Sequence, residues 1–136
     1  MFEAVNEVAV IGTTFFMMAS ATVWFSPLLF GKGWLSELRA TEAEIEASRK
    51  HLARHLGLTF ASYAVILTVL GHVVAWIDNV NVTLMTAALG ITAMVLSLLC
   101  ALSLWENKST KYFLISGGFY AYFVIIGMYM IAYWPW

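Results

Sequence analysis

Four stretches of this sequence carry no Lys, Arg, Asp or Glu: residues 8–31, 55–77, 79–105 and 112–136. A helix needs about 20 mostly apolar residues to cross a hydrocarbon core of roughly 30 Å, and all four windows are long enough. Lipid offers no hydrogen-bond partners, so spans of this length must satisfy their own backbone as helices. Strands of a membrane barrel would instead run about ten residues with alternating polarity, a pattern missing here. Composition closes the remaining route. The chain is 62% hydrophobic and 11% charged, whereas a soluble domain carries about 25% charge. Too few charges remain to cover a water-facing surface, and a soluble globule is excluded. The expected fold is an all-α membrane protein: four transmembrane helices in an antiparallel bundle, with a short cytoplasmic helix between the first two. It forms a single domain over residues 1–136, with spans at about 5–30, 55–77, 82–105 and 112–134.

The fifteen charges set the expected orientation. Lys32, Arg39, Arg49, Lys50 and Arg54 lie in the first connection, Lys108 and Lys111 in the third. The opposite side holds only Glu3, Glu7 and Asp78. Under the positive-inside rule this split puts the charged loops in the cytoplasm and both termini outside a cell membrane. Trp24, Trp34, Trp105 and Tyr112 fall toward the inner interface, and Trp76, Tyr133, Trp134 and Trp136 toward the outer one. The first window is longer than a signal-peptide core and its leader has no basic residue, so it reads as a retained span. A net charge of −1 gives no basic excess for nucleic acid.

The short connection around residues 78–81 predicts that spans two and three are neighbours, and the connection 106–111 predicts the same for spans three and four. The longer first connection contains Thr41-Glu42-Ala43-Glu44, the spacing of a capping box. Acidic Glu42, Glu44 and Glu46 precede basic Arg49, Lys50 and Arg54, an order that complements the helix dipole. A helix over about 41–54 follows, free to continue into span two.

Trp24-Phe25-Ser26-Pro27-Leu28-Leu29-Phe30-Gly31-Lys32-Gly33-Trp34 is the most distinctive segment. Pro27 removes an amide donor and should kink or end span one. The glycines can accept the backbone angles of a helix stop. The segment reads either as a helix terminus anchored by Trp24 and Trp34 or as a substrate-lining break. Its pattern, W-[FY]-S-P-x-x-F-G-x-x-W at the end of a first span, resembles the bacterial membrane family called domain of unknown function 1761. Asn107 in a short loop, and Gly117, Gly118, Tyr120, Gly127 and Trp134 in the last span, extend the resemblance over nearly the full length. The resemblance implies a four-helix integral membrane protein, in a bacterial inner membrane, and brings no established activity.

Ionisable groups within membrane spans are expensive and tend to mark functional paths. His72 is such a group; with Glu3, Glu7 and Asp78 it forms a candidate metal or proton site near one end of the spans. His51 and His55, four apart among Arg and Lys, read as part of a basic membrane-facing patch. Cys100 reads as a buried thiol. No catalytic residue and no cofactor is identified. Four sets of residues follow the small-xxx-small spacing that lets membrane helices approach closely. They are Gly57 with Ala61, Gly71 with Ala75, Ala93 with Ser97 and Ala101, and Gly117 with Ala121. All are expected to pack helices, equally within the chain or in oligomer contacts. The expected partners are the lipid bilayer and either a second copy or another membrane protein. An interaction protein of this kind is the leading functional expectation. A small oligomeric transporter or channel past Ser26, Pro27 and His72 is the alternative, and an enzyme or metal site on the outer face is the third.

Overall fold

A computed structural model describes residues 5–77 and 82–135. Among these residues there are six helices and no strand: α1 (Glu7–Trp24), α2 (Gly31–Leu38), α3 (Glu42–Lys50), α4 (Leu52–Ala75), α5 (Val82–Trp105) and α6 (Thr110–Ala132). Helices α1, α4, α5 and α6 are long and apolar enough to cross a membrane. Their outward surfaces carry large apolar side chains, among them Phe15, Val65, Leu98 and Leu114. Such surfaces suit hydrocarbon rather than water.

Local sequence explains the helix ends. Asn6 caps α1, its side-chain oxygen accepting from the Ala9 amide at 3.0 Å. Thr41 and Glu44 form a reciprocal capping box at the start of α3, and Ser109 caps α6 through the Tyr112 amide. These oxygens satisfy amides that a helix start leaves without partners. At the end of α5, Asn107 takes a left-handed φ of 54°, and the Lys108 amide donates to the Ser103 carbonyl at 2.8 Å. Asparagine tolerates that conformation better than most side chains, which closes the helix in a Schellman turn.

Helix α6 is the hub. It packs against α1, α2, α4 and α5, and α1 also packs against α4. Half of its apolar window is buried (50%), against 28% for α1 and 17% for α4 and α5. Glycine makes this possible by letting neighbours approach from several sides. A Cβ on Gly127 would lie 2.9 Å from Leu67 Cδ2 of α4 and 3.7 Å from Met17 Cε of α1. A Cβ on Gly117 would lie 3.1 Å from Leu96 Cδ2 of α5, and one on Gly118 would lie 3.2 Å from Trp24 of α1. Around these approaches Met17, Leu67, Phe119 and Met128 are fully buried.

Two features differ from the sequence expectation. Among the described residues, α4 and α5 have no packed seam comparable to those of α6, although the connection between them is short. A short loop restrains only the helix ends, while the glycines of α6 decide which faces meet. The connection itself, residues 78–81, lies outside the described residues. The charged helix is also shorter than 41–54: α3 stops at Lys50, and His51 (φ −109°, ψ 24°) separates it from α4. Beyond the break, half-buried Ile45 shares a groove with Trp34, Leu38 and Leu52.

Candidate functional site

The distinctive segment after α1 builds a compact aromatic turn. Helix α1 stops at Trp24, because the residue before a proline avoids the helical region. The Ser26 carbonyl then accepts from the amides of Leu29 (3.1 Å) and Gly31 (2.9 Å), and the Phe30 amide donates to the Trp24 carbonyl at 3.1 Å. Pro27, exposed at the turn, fits the second position, where its fixed φ is already correct. The Ser26 hydroxyl donates to the Val23 carbonyl at 2.6 Å. Gly31 is buried where a Cβ would collide with the Phe25 carbonyl oxygen and lie 2.6 Å from the Ser26 carbonyl carbon.

Aromatic rings fasten this turn to α6. The Trp24 indole N–H donates to the Ile115 carbonyl at 3.1 Å. The same ring packs on Phe30, Phe119 and Tyr122, with centroids 4.9, 6.0 and 6.1 Å away. Phe25 packs between Trp34 (4.8 Å) and Phe119 (5.4 Å). Trp24 is therefore directed into the bundle, where it does more than anchor at an interface. Replacing it with phenylalanine removes the donor to the carbonyl of buried Ile115. Trp24→Phe is expected to lower stability by about 1 kcal/mol, read as an earlier midpoint in denaturant titration of the detergent-solubilised chain. An unchanged midpoint would mean that the indole N–H contributes nothing to the turn.

A second region lies where α1 begins and α4 ends. Gly71 is buried there, and a Cβ on it would lie 2.7 Å from Val5 Cγ1 and 3.5 Å from Val10 Cγ2. Beside that contact opens a cleft of about 450 Å³ lined by Val5, Glu7, Val10, Ile11, Ala64, Thr68 and His72. Glu7 and His72, two of the four proposed metal residues, thus share one cleft. Glu3 and Asp78 lie outside the described residues. Among the described residues no group of three His, Cys, Asp or Glu side chains is placed to hold a metal ion. His51 and His55 are both exposed, with ring centroids 6.5 Å apart.

The small residues expected to pack helices divide into two kinds. Gly71 and Gly117 meet side chains of neighbouring helices or of the segment before α1. Ala75 and Ala121, each one turn further along, are only half-buried, so neither sits in the tightly closed seam that the spacing suggested. For Ala121 the reason lies in α6 itself: its closest approaches to α1 and α4 run through Gly118 and Gly127, and Phe119 and Phe123 fill the interior between them. The other two sets take no part in packing within the chain and lie on outward faces. Gly57 and Ala61 are exposed, with open space at Gly57. Ala93, Ser97 and Ala101 are exposed on α5, and Gly90 beside them also has open space. Cys100 is exposed next to this stripe, which corrects the buried position expected for it. The reason is the row Leu84, Ala88, Thr92 and Ser103, which turns the other side of α5 toward the interior.

Phe119 and Thr68 were not anticipated from sequence. A helical spacing of four does link Ala64, Thr68 and His72, and this was the available signal for one wall of the cleft. No curated protein and no solved structure matches the chain. A family model described as "Protein of unknown function (DUF1761)" matches residues 8–132, nearly the whole sequence, and the chain belongs to that family.

Proposed function

We propose that this chain is a small helix-packing membrane protein that assembles through the outward face of α5, as a homo-oligomer or as an accessory subunit of a membrane complex. One observation carries the reading. Helix α5 packs chiefly on α6, yet its opposite side presents Gly90, Ala93, Ser97 and Ala101 with no covering neighbour among the described residues. At 3.6 residues per turn these four fall on one stripe. Against lipid tails a stripe of small residues gains nothing over leucine, whereas a second helix can approach closely along it.

In this reading the four spans form an antiparallel bundle in a bacterial inner membrane, with charged connections in the cytoplasm and both termini outside. The contacts support the antiparallel order: α1 meets α6 at Met17–Gly127 and again at Trp24–Gly118, so the numbering runs in opposite senses. The distribution of Lys and Arg supports the orientation. A conduction path past Ser26, Pro27 and His72 has less support. The Ser26 hydroxyl is engaged by Val23, and His72 lies toward the other end of α1.

Cys100 provides the test, because it flanks the stripe and is the one cysteine. Thiol crosslinking in native membranes is expected to yield a dimer or a discrete adduct with a membrane protein. The double substitution Ala93→Ile with Ser97→Ile should reduce that product at least fivefold, while Val65→Ile on α4 should leave it unchanged. A chain that remains strictly monomeric and partnerless, or a product indifferent to the double substitution, removes the reading.

A further inference from the structure

The cleft between α1 and α4 has a chemical bias that its lining residues determine. The Thr68 hydroxyl donates its hydrogen to the Ala64 carbonyl at 2.7 Å. His72 Nδ1 lies 2.8 Å from the Thr68 carbonyl oxygen. A carbonyl can only accept, so in the neutral ring the proton resides on Nδ1 and Nε2 keeps its lone pair. Both polar groups of α4 have therefore spent their hydrogens on their own helix. What they leave for an occupant is acceptor capacity, at Thr68 Oγ1 and His72 Nε2. Glu7, across the cleft on α1, adds a carboxylate, which also only accepts.

The remaining lining, Val5, Val10, Ile11 and Ala64, is apolar. Helix α1 begins at this cleft and α4 ends at it, so their dipole ends are of opposite sign and partly offset each other. Among the described residues, Glu7 is the acidic group that lines the cleft. A cleft of about 450 Å³ lies within the range of small-molecule sites, which are mostly apolar with a few convergent polar groups.

We infer that the α1–α4 cleft binds a primary ammonium carried on an apolar body, with the ammonium on Glu7, Thr68 and His72 and the body against Val5, Val10 and Ile11. An ammonium brings three donors and no acceptor, the complement of what the cleft offers. Two sources supply this chemistry: a free arylalkyl amine and the headgroup of an aminophospholipid. The inference is independent of the α5 face, and either can fail without the other.

The test uses the full chain in phosphatidylcholine nanodiscs, titrated calorimetrically with 4-phenylbutylamine against empty nanodiscs. The uncharged 4-phenylbutanol is the control for the apolar body. Saturable binding of the amine is expected, at least tenfold tighter than that of the alcohol. Glu7→Gln should weaken it tenfold or more and His72→Phe severalfold, while Glu106→Gln, on an acid outside the cleft, should leave it unchanged. Glu7 is exposed, so its glutamine variant should keep wild-type helicity by circular dichroism. In a second arm, half of the lipid is replaced by phosphatidylethanolamine. Suppressed amine binding identifies the headgroup as an occupant, and unchanged binding assigns the cleft to the free amine. Equal binding of amine and alcohol, no saturable binding in phosphatidylcholine, or wild-type affinity in Glu7→Gln overturns the inference.

Discussion

Alanine at Gly31 is expected to destabilise the folded chain by about 3 kcal/mol, the upper range for forcing an extra carbon into a packed site. The added Cβ would meet the Phe25 carbonyl oxygen and lie 2.6 and 2.7 Å from the carbonyl carbon and oxygen of Ser26. All three are backbone atoms, so no side-chain rotation relieves the contact. Relief requires opening the turn, which breaks the Gly31–Ser26 hydrogen bond and draws Trp24 and Phe25 away from Phe119. Gly57→Ala is the matched control. It has open space around it, and alanine in a helix interior is favoured over glycine by roughly 0.5–1 kcal/mol. The two variants should therefore move the denaturation midpoint in opposite directions. Equal midpoints would show that the turn does not hold Gly31 against the Phe25–Ser26 backbone.

Phe119→Ala should have an effect of similar size for a different reason. The ring is fully buried and packs on Trp24, Phe25, Tyr63, Tyr122 and Phe123, with centroids 5.4 to 6.4 Å away. In lipid the loss is one of packing, since removing a buried ring forfeits dispersion contacts and leaves a cavity. Large-to-small changes of this type cost about 3–5 kcal/mol in water-soluble cores. A loss of about 3 kcal/mol, the lower end of that range, is expected here, because the unfolded reference in a membrane is already shielded from water. Phe119→Leu should recover roughly half, and Leu114→Ala, on an outward position of the same helix, should change little. Combined with Trp24→Ala, the loss should fall short of the sum, because the two rings share one contact. Strict additivity would indicate that they act separately.

Charge placement made the spans legible, and helix-stop chemistry made parts of the termini legible. Pro27 announced the end of α1, and the Thr41–Glu44 spacing announced the start of α3. The faces of the helices were not legible. A membrane helix is apolar all round, so no polar side marks which residues point outward. Gly57 and Gly127 look alike in sequence, yet one meets open space and the other meets Leu67. That difference arises only from the partner helix, and so the central role of α6 was hidden. The joining of Glu7 and His72 in one cleft was half visible. Their positions near span ends suggested proximity, but the acceptor-only character depends on the bonds made by Thr68 and His72, which are features of the folded helix.

The central position of α6 also bears on the order in which the molecule is made. In chain order α6 follows the other three spans, and synthesis delivers them in that order. α1 and α4 can pair as soon as both are inserted, since they share their own seam. α5 cannot do the same, because its main partner has not yet left the ribosome. Its principal seam can form only once α6 has been made. The seams of α6 with α1, α4 and α5 are therefore the last of the long-helix contacts to become available.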